Sequence, residues 1–371
     1  MKEMNKFYPI SQPSITELEI KYVNDAISSG WVSSLGFYIE ELEKEFAKFC
    51  GVNYAVLTNN GTTGLHLALE TLGIKMGDEV IIPDLTFIAT ANAVAYIGAI
   101  PVMVDIDPHT LCIDPSKIES AITDKTKAII PVHLYGHPAN MDEINLIAKK
   151  HNLLVVEDAA EAHGAKYKNR VVGGLADCGV FSFYGNKIIT TGEGGAITTN
   201  NVETYERAKF LRDHAMSKTK RYWHTEVGYN YRMTNLQAAL GLAQLKRIDE
   251  IISSRIDIFT NYKKYIETSD TVRLNYNAPW ADSVHWLVCL EIDSLNLDKR
   301  VTFMKNLKEK GVDSRPYFYP VSSMPMYKQK FENEISFKKS MIGINIPTYY
   351  GLSENDINII SQIINLEIKN I

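Results

Sequence analysis

Three short segments hold residue types whose chemistry depends on where the chain places them. Asn59-Asn60-Gly61-Thr62-Thr63-Gly64 follows one apolar run and opens an amphipathic stretch. A turn at that point presents free backbone N–H groups and the positive end of a helix, with threonine hydroxyls as further donors, which suits a phosphate. Asn and Thr there equally suit a helix N-cap, and the segment alone leaves both readings open. Val155-Val156-Glu157-Asp158-Ala159-Ala160 sets an acid at the carboxyl end of an apolar run. Ligands of open α/β sheets bind at that edge, although Asp also serves turns at strand ends. Phe183-Tyr184-Gly185-Asn186-Lys187 places a lysine just beyond a third run, ahead of Thr190-Thr191-Gly192-Glu193-Gly194-Gly195. Glycines let backbone approach a ligand closely, so this suits a partly buried amine, where a lone lysine would be a surface residue.

The order of the three segments restricts their meaning. A pyridoxal-phosphate enzyme needs an anchor for the phosphate, a carboxylate that keeps the ring nitrogen protonated and a lysine that holds the aldehyde as a Schiff base. The chain supplies candidates for all three at the ends of apolar runs.

Those ends must belong to one sheet. Apolar runs at 54–58, 79–82, 101–106, 128–133, 153–157 and 179–183 alternate with amphipathic stretches such as 62–72, with Leu65, Leu69 and Leu72 on one face, and 141–151, with Met141, Ile144, Ile147 and Ala148 on one face. This is the pattern of an α/β fold, a parallel sheet wrapped by helices. A helix-rich segment over 235–269 leads to a tail where a strand at 286–292 alternates with helices at 297–310 and 353–368, which reads as a smaller α+β domain. The expected division is 1–245 for the large domain with its N-terminal arm and 246–371 for the small one.

The chain has 371 residues, 45% hydrophobic and 22% charged, the composition of an ordinary globular protein with a sizeable core. Its net charge of -5, from 39 basic and 44 acidic residues without a polybasic tract, gives no footprint for nucleic acid. Cys50, Cys112, Cys178 and Cys289 lack a paired spacing, which fits neither a disulfide framework nor a zinc site and suggests the cytoplasm. MKEMNKFYPISQPS lacks the apolar core of a secretory signal. Leu85 to Val104 is free of charge over twenty residues but contains Thr86, Thr90, Asn92, Gly98 and Pro101. A buried helix and strand explain it better than a membrane span.

The segments HLYGHPANMD (133–142), EDAAEAHGAKY (157–167), SFYGNKIITTGEGG (182–195), RYWH (221–224) and GYNYRMTNLQAA (228–239) resemble the DegT-type sugar-nucleotide aminotransferases, most of all their perosamine-forming branch. The resemblance runs from GWVSS (30–34) to SRPYFYPVSSMPMY (314–327). It implies a fold type I pyridoxal-phosphate transferase with a mostly parallel seven-stranded sheet. Lys187 matches the Schiff-base lysine, Asp158 the partner of the pyridine nitrogen and Phe87 the aromatic stacked on the cofactor ring. Gly61, Thr62, Thr63 and Ser182 match the cofactor-binding turn and phosphate ligands. Asn230 and Arg232 match the element that reaches the phosphate from a neighbouring subunit, implying a homodimer with shared active sites. Glu161 stands among the cofactor residues where many relatives carry Gln and the perosamine branch has Glu. The likeness departs at Asp213-His214-Ala215, where that branch reads near Gly-Gln-Gly, and at Phe87, where Tyr is common.

The implied reaction converts a nucleotide-linked 4-keto-6-deoxy sugar to the 4-amino sugar with glutamate as donor, the cofactor passing through its pyridoxamine phosphate form. GDP-4-keto-6-deoxy-mannose is the expected substrate, and a UDP-linked 4-keto-6-deoxy-N-acetylhexosamine is the alternative. Ser34, His133, Tyr135, Tyr184, Arg315 and Tyr317 are the expected substrate residues, the last two because an Arg fork and an aromatic face suit diphosphate and base. A dehydratase of the same fold would need histidine at Lys187, and a desulfurase would use Cys178 as its thiol. A non-catalytic regulator on this fold is a third alternative. His133 and His137 lie on a strand-to-loop turn without an acid or thiol to complete a metal site.

Overall fold

The computed structural model describes residues 6–371. The first five residues, and with them the start of the segment read as lacking a secretory signal, lie outside the described residues.

The large sheet has seven strands in the order β1-β9-β8-β5-β4-β2-β3. They are β1 (Tyr54–Thr58), β2 (Glu79–Pro83), β3 (Ile100–Val104), β4 (Thr126–Ile129), β5 (Leu154–Asp158), β8 (Cys178–Ser182) and β9 (Gly195–Thr199), while β6 (Lys166–Tyr167) and β7 (Arg170–Val171) form a small hairpin. Only β9 runs against its neighbours. All five residues of β2 are buried, because helices cover both faces of a parallel sheet and leave no strand position for a polar side chain in water. The charge-free stretch divides into helix Ala89–Tyr96 and β3. Among the described residues no helix is long and apolar enough to cross a membrane.

Helix Gly61–Thr71 lies tight on the sheet. A Cβ on Gly61 would stand 2.8 Å from the Ser182 Cβ and one on Gly64 2.9 Å from Val180, so the absence of side chains lets the helix N-terminus touch β8. Helices Glu17–Ser28 and Phe37–Cys50 pack on helix Asn235–Lys246, which a Thr234–Gln237 capping box starts.

Helices Asn235–Lys246 and Ile248–Tyr265 meet at Arg247, whose guanidinium bonds to Glu19 at 2.7 Å. Beyond them β10 (Val272–Leu274), β12 (Val288–Ile292), β14 (Gly343–Ile346) and β13 (Arg315–Pro316) form an antiparallel sheet in that order, and β11 (Ala281–Asp282) joins the β6–β7 hairpin. Helices Leu297–Glu309, Glu334–Ile342 and Glu354–Ile368 complete this half. The N-terminal arm, grouped by sequence with the large sheet, crosses to the small one. Tyr8 bridges to Val312 and lies in a core with Ile258, Tyr262, Leu290 and Ile360.

Candidate active site

The carboxyl edge of the large sheet gathers Asp158, Glu161 and Lys187. Asp158 ends β5 at 5% exposure. It is pinned between strands: its N–H donates to Pro131 O at 2.9 Å, and its carbonyl accepts from His133 N at 3.0 Å. Its carboxylate accepts the Thr90 hydroxyl at 2.8 Å and the Ala160 N–H at 3.2 Å. Burial raises its proton affinity, and Thr90, Ala160 and Lys187 oppose that. No cation stands within ion-pair distance of it among the described residues, so this anion has room for one.

Glu161 Oε2 accepts the Tyr135 N–H at 2.8 Å, while Oε1 lies 3.5 Å from Lys187 Nζ. Burial pushes its carboxyl up to about 7 against the attraction of Lys187. Lys187 closes a turn by donating its N–H to Tyr184 O at 2.9 Å, and its amine stands over the Trp286 ring, 4.1 Å from the ring centre.

Beside β8 lies an anion cradle. Asn60 caps helix Gly61–Thr71 by accepting the Thr63 N–H at 2.8 Å. The Thr63 hydroxyl bonds to Asn59 Oδ1 at 2.5 Å and Asn60 O at 2.9 Å, so this side chain serves the cap. The N–H groups of Gly61 and Thr62 and the Thr62 hydroxyl keep no partner among the described residues, and Ser182 abuts Gly61. Asn60 and Thr63 build the cap, which leaves Gly61, Thr62 and Ser182 for a ligand. The donor set and the unpaired buried carboxylate fit pyridoxal phosphate.

Phe87 is half-exposed at the mouth, tilted against Phe318 with ring centres 5.7 Å apart. Tyr184 is also half-exposed. Three expected substrate residues are buried instead. His133 is fully buried: Nδ1 accepts the Ala139 N–H, which leaves the Nε2–H to donate to Glu157 at 3.0 Å. With both ring nitrogens engaged it supports the strand end under Asp158 and has no atom for a sugar. The ring nitrogens of His137 are likewise taken, by Pro138 O and Ala278 N. Tyr135 and Tyr317 are buried, and Tyr135 stacks on Phe318. They border a cavity of about 390 Å³ whose other walls include His109, Lys263, Arg273 and Tyr276, and neither Lys187 nor Asp158 lies in its wall. The chain packs these tyrosines as core, because their rings fill the join between the two sheets.

Ser34 lies in a loop that Asn235 fastens through Trp31 O, Ser33 O and Tyr38 N. Arg315 is exposed on β13. Asn230 is exposed: the backbone of its neighbour Tyr231 accepts the Asn59 N–H of the same chain at 3.0 Å, and the Asn230 side chain is left facing water. Arg232 pairs with Asp213 at 2.8 Å. The departure at Asp213-His214-Ala215 thus touches the predicted phosphate arm, and His214 and Ala215 both take left-handed backbone. Cys178 is buried in β8, where burial raises its thiol, which removes the nucleophile that a desulfurase needs.

Sequence reasoning missed Thr90 and Trp286. A hydroxyl in an otherwise charge-free stretch was the available signal for Thr90; Trp286 gave none.

Residues 13–365 match the DegT/DnrJ/EryC1/StrS aminotransferase family. A GDP-perosamine synthase of Caulobacter vibrioides is 46% identical over 352 residues, covering 94% of this chain and 95% of that protein. One from Escherichia coli O157:H7 is 45% identical over 361 residues, 97% of this chain and 98% of that protein. Among solved structures, a Streptococcus pneumoniae protein in its PLP form is similar at a TM-score of 0.92 and 29% identity, covering 98% of this chain and 99% of that one.

Proposed function

We propose that this chain, which belongs to the DegT/DnrJ/EryC1/StrS aminotransferase family, uses pyridoxal 5'-phosphate to pass an amino group from glutamate to GDP-4-keto-6-deoxy-mannose, forming GDP-perosamine. The carrying observation is a shielded lysine beside a buried carboxyl, with a second buried carboxylate lacking a cation, at one sheet edge next to an open anion cradle. Likeness to two GDP-perosamine synthases over nearly the whole chain supports the choice of substrate.

Bound at this edge, the cofactor supplies an electron-accepting ring that makes an amino acid's α-proton removable. Lys187 Nζ would hold the cofactor and, when free, would move the proton between the amino acid's α-carbon and the cofactor, running the same transfer in reverse in the second half of the cycle. Asp158 holds the proton on the ring nitrogen, and Thr90 fixes which way its carboxylate points. Gly61, Thr62 and Ser182 would hold the phosphate, and Phe87 at the mouth would pack against the ring. Glu161, aimed by the Tyr135 N–H, keeps a carboxyl beside the amine.

A second copy of the chain completes the site by bringing its Asn230 and Arg232 to the phosphate. Trp31, Leu35 and Phe37 form an exposed apolar surface that a mate would cover. The setting is cytoplasmic, in keeping with four free thiols.

A competition assay tests the substrate. The expected kcat/KM for the GDP-linked ketone is at least about tenfold above that for the UDP-linked 4-keto-6-deoxy-N-acetylhexosamine, about 1.4 kcal/mol of transition-state preference. The reverse order would move the protein to the N-acetylhexosamine reaction and leave the amino transfer standing.

A further inference from the structure

Among the described residues, a carboxyl and an aromatic ring stand against the Lys187 amine. Glu161 Oε1 stands 3.5 Å away. The ring of Trp286 lies 4.1 Å from Nζ, and Trp286 comes from the approach to β12 in the other sheet. Three contacts fix Trp286, two of them on its ring. The indole N–H donates at 2.7 Å to the carbonyl of Asn186, the peptide leading into Lys187. The Trp286 carbonyl accepts the buried Arg255 guanidinium at 2.6 Å. Tyr135 stacks on the indole with the planes 16° apart, and the Tyr135 N–H holds Glu161. One aromatic pair therefore orients the backbone before the lysine, a wall beside its amine and the carboxyl facing it.

A lysine side chain has four rotatable bonds and wanders unless a wall restricts it. An aromatic face attracts the protonated amine and excludes water from it.

We propose that Trp286 is a positioning residue for Lys187, holding the amine where it meets an incoming carbonyl and to which it returns after each turnover. Through it the small sheet takes part in chemistry that otherwise belongs to the large one. The inference rests on Lys187 being the cofactor-bearing amine.

The test compares Trp286→Leu and Trp286→Phe with the unsubstituted full-length protein. One readout is the rate at which added pyridoxal phosphate becomes fixable on Lys187 by borohydride, followed by peptide mass mapping. The other is equilibrium binding of pyridoxamine phosphate, which cannot join a lysine. Trp286→Leu is expected to slow fixation and lower kcat by about tenfold, the scale of a shielded cation–π contact, with KM for the nucleotide sugar and pyridoxamine phosphate affinity within about twofold. Trp286→Phe keeps a ring face but loses the bond to Asn186, so it should fix more slowly than the unsubstituted protein by about threefold. Fixation at the unsubstituted rate in both variants overturns the proposal, as does a parallel loss of fixation and pyridoxamine phosphate binding, which would reduce Trp286 to packing. Should Trp286→Leu fail to fold, slower fixation by Trp286→Phe with intact pyridoxamine phosphate binding supports the proposal, and an unchanged rate overturns it. A label on another lysine in the unsubstituted protein would instead remove the assignment of Lys187.

Discussion

Asp158 and Asn230 are polar residues assigned to the same cofactor, yet the chain treats them in opposite ways. Asp158 is buried at a strand end, its backbone tied to Pro131 and His133 and its carboxylate to Thr90 and Ala160. Asn230 is exposed in a loop segment, its side chain accepting from the Arg232 guanidinium at 3.3 to 3.4 Å and, among the described residues, from nothing else. The floor of the site is finished by its own chain. At the rim, Asn230, Phe87 and Tyr184 stay open to water. A buried anion must be fixed by its surroundings before any ligand arrives, because the cost of burying it is borne in the folded state. A rim residue bears no such cost and stays exposed until a ligand or second copy covers it.

The sharpest test of the floor is Lys187→Ala, which should abolish turnover, a loss on the order of 10⁴-fold or more, while pyridoxamine phosphate still binds. Equilibrium dialysis and a single-turnover assay check both halves. Next comes Asp158→Asn, in which a neutral amide cannot stabilise the ring N–H cation, so kcat should fall by about a hundredfold with the cofactor still bound. An Asp158→Asn enzyme at full speed would show that the finished floor is structural only.

Glu161 tests the floor through pH. Its folded proton affinity is raised from 4.5 to about 7 by burial, so between those values the folded chain holds a proton that the unfolded chain has lost, and stability falls as pH rises. Across that window the cost is about 3 kcal/mol in the cofactor-free protein. Glu161→Gln should therefore match the unsubstituted protein at pH 4.5 and exceed its stability by up to that amount at pH 8 in urea unfolding. Equal pH slopes would place the charge in water and not on a dry floor. His137 contributes the opposite sign: burial lowers it from 6.5 to about 4, so its contribution is present above 6.5 and is lost as pH falls toward 4.

The smallest effect concerns the rim. Mixing an Asn230→Ala/Arg232→Ala double variant with Lys187→Ala should restore activity through hybrid dimers holding one intact site, about a quarter of all sites after equal, random exchange. No recovery after subunit exchange, verified by mass, would make the rim as self-contained as the floor.

Much of the fold could be read from residue pattern. Six strands of the large sheet and the helix at 141–151 follow from apolar runs and periodicity, because a two-faced parallel sheet demands near-continuous apolar strands. Strand β9, Gly195–Thr199, escaped that reading. Its Gly and Ala carry little strand signal, and its identity comes from pairing with β1 and β8. The catalytic candidates Asp158 and Lys187 were equally legible, since their types and their places at run ends are local facts.

What surrounds them was settled only in three dimensions. His133, Tyr135 and Tyr317 have the right chemistry for a substrate site, but burial and hydrogen bonds commit them to the interior. The sheet, its carboxyl edge and the acid, amine and helix-opening turn placed there are legible along the chain, because each depends on near neighbours. The tertiary structure alone decided that Thr90 aims Asp158, that Tyr135 aims Glu161 and that Trp286 faces Lys187. Those contacts join residues far apart in sequence, and a side chain's partners follow from packing, which no local pattern encodes.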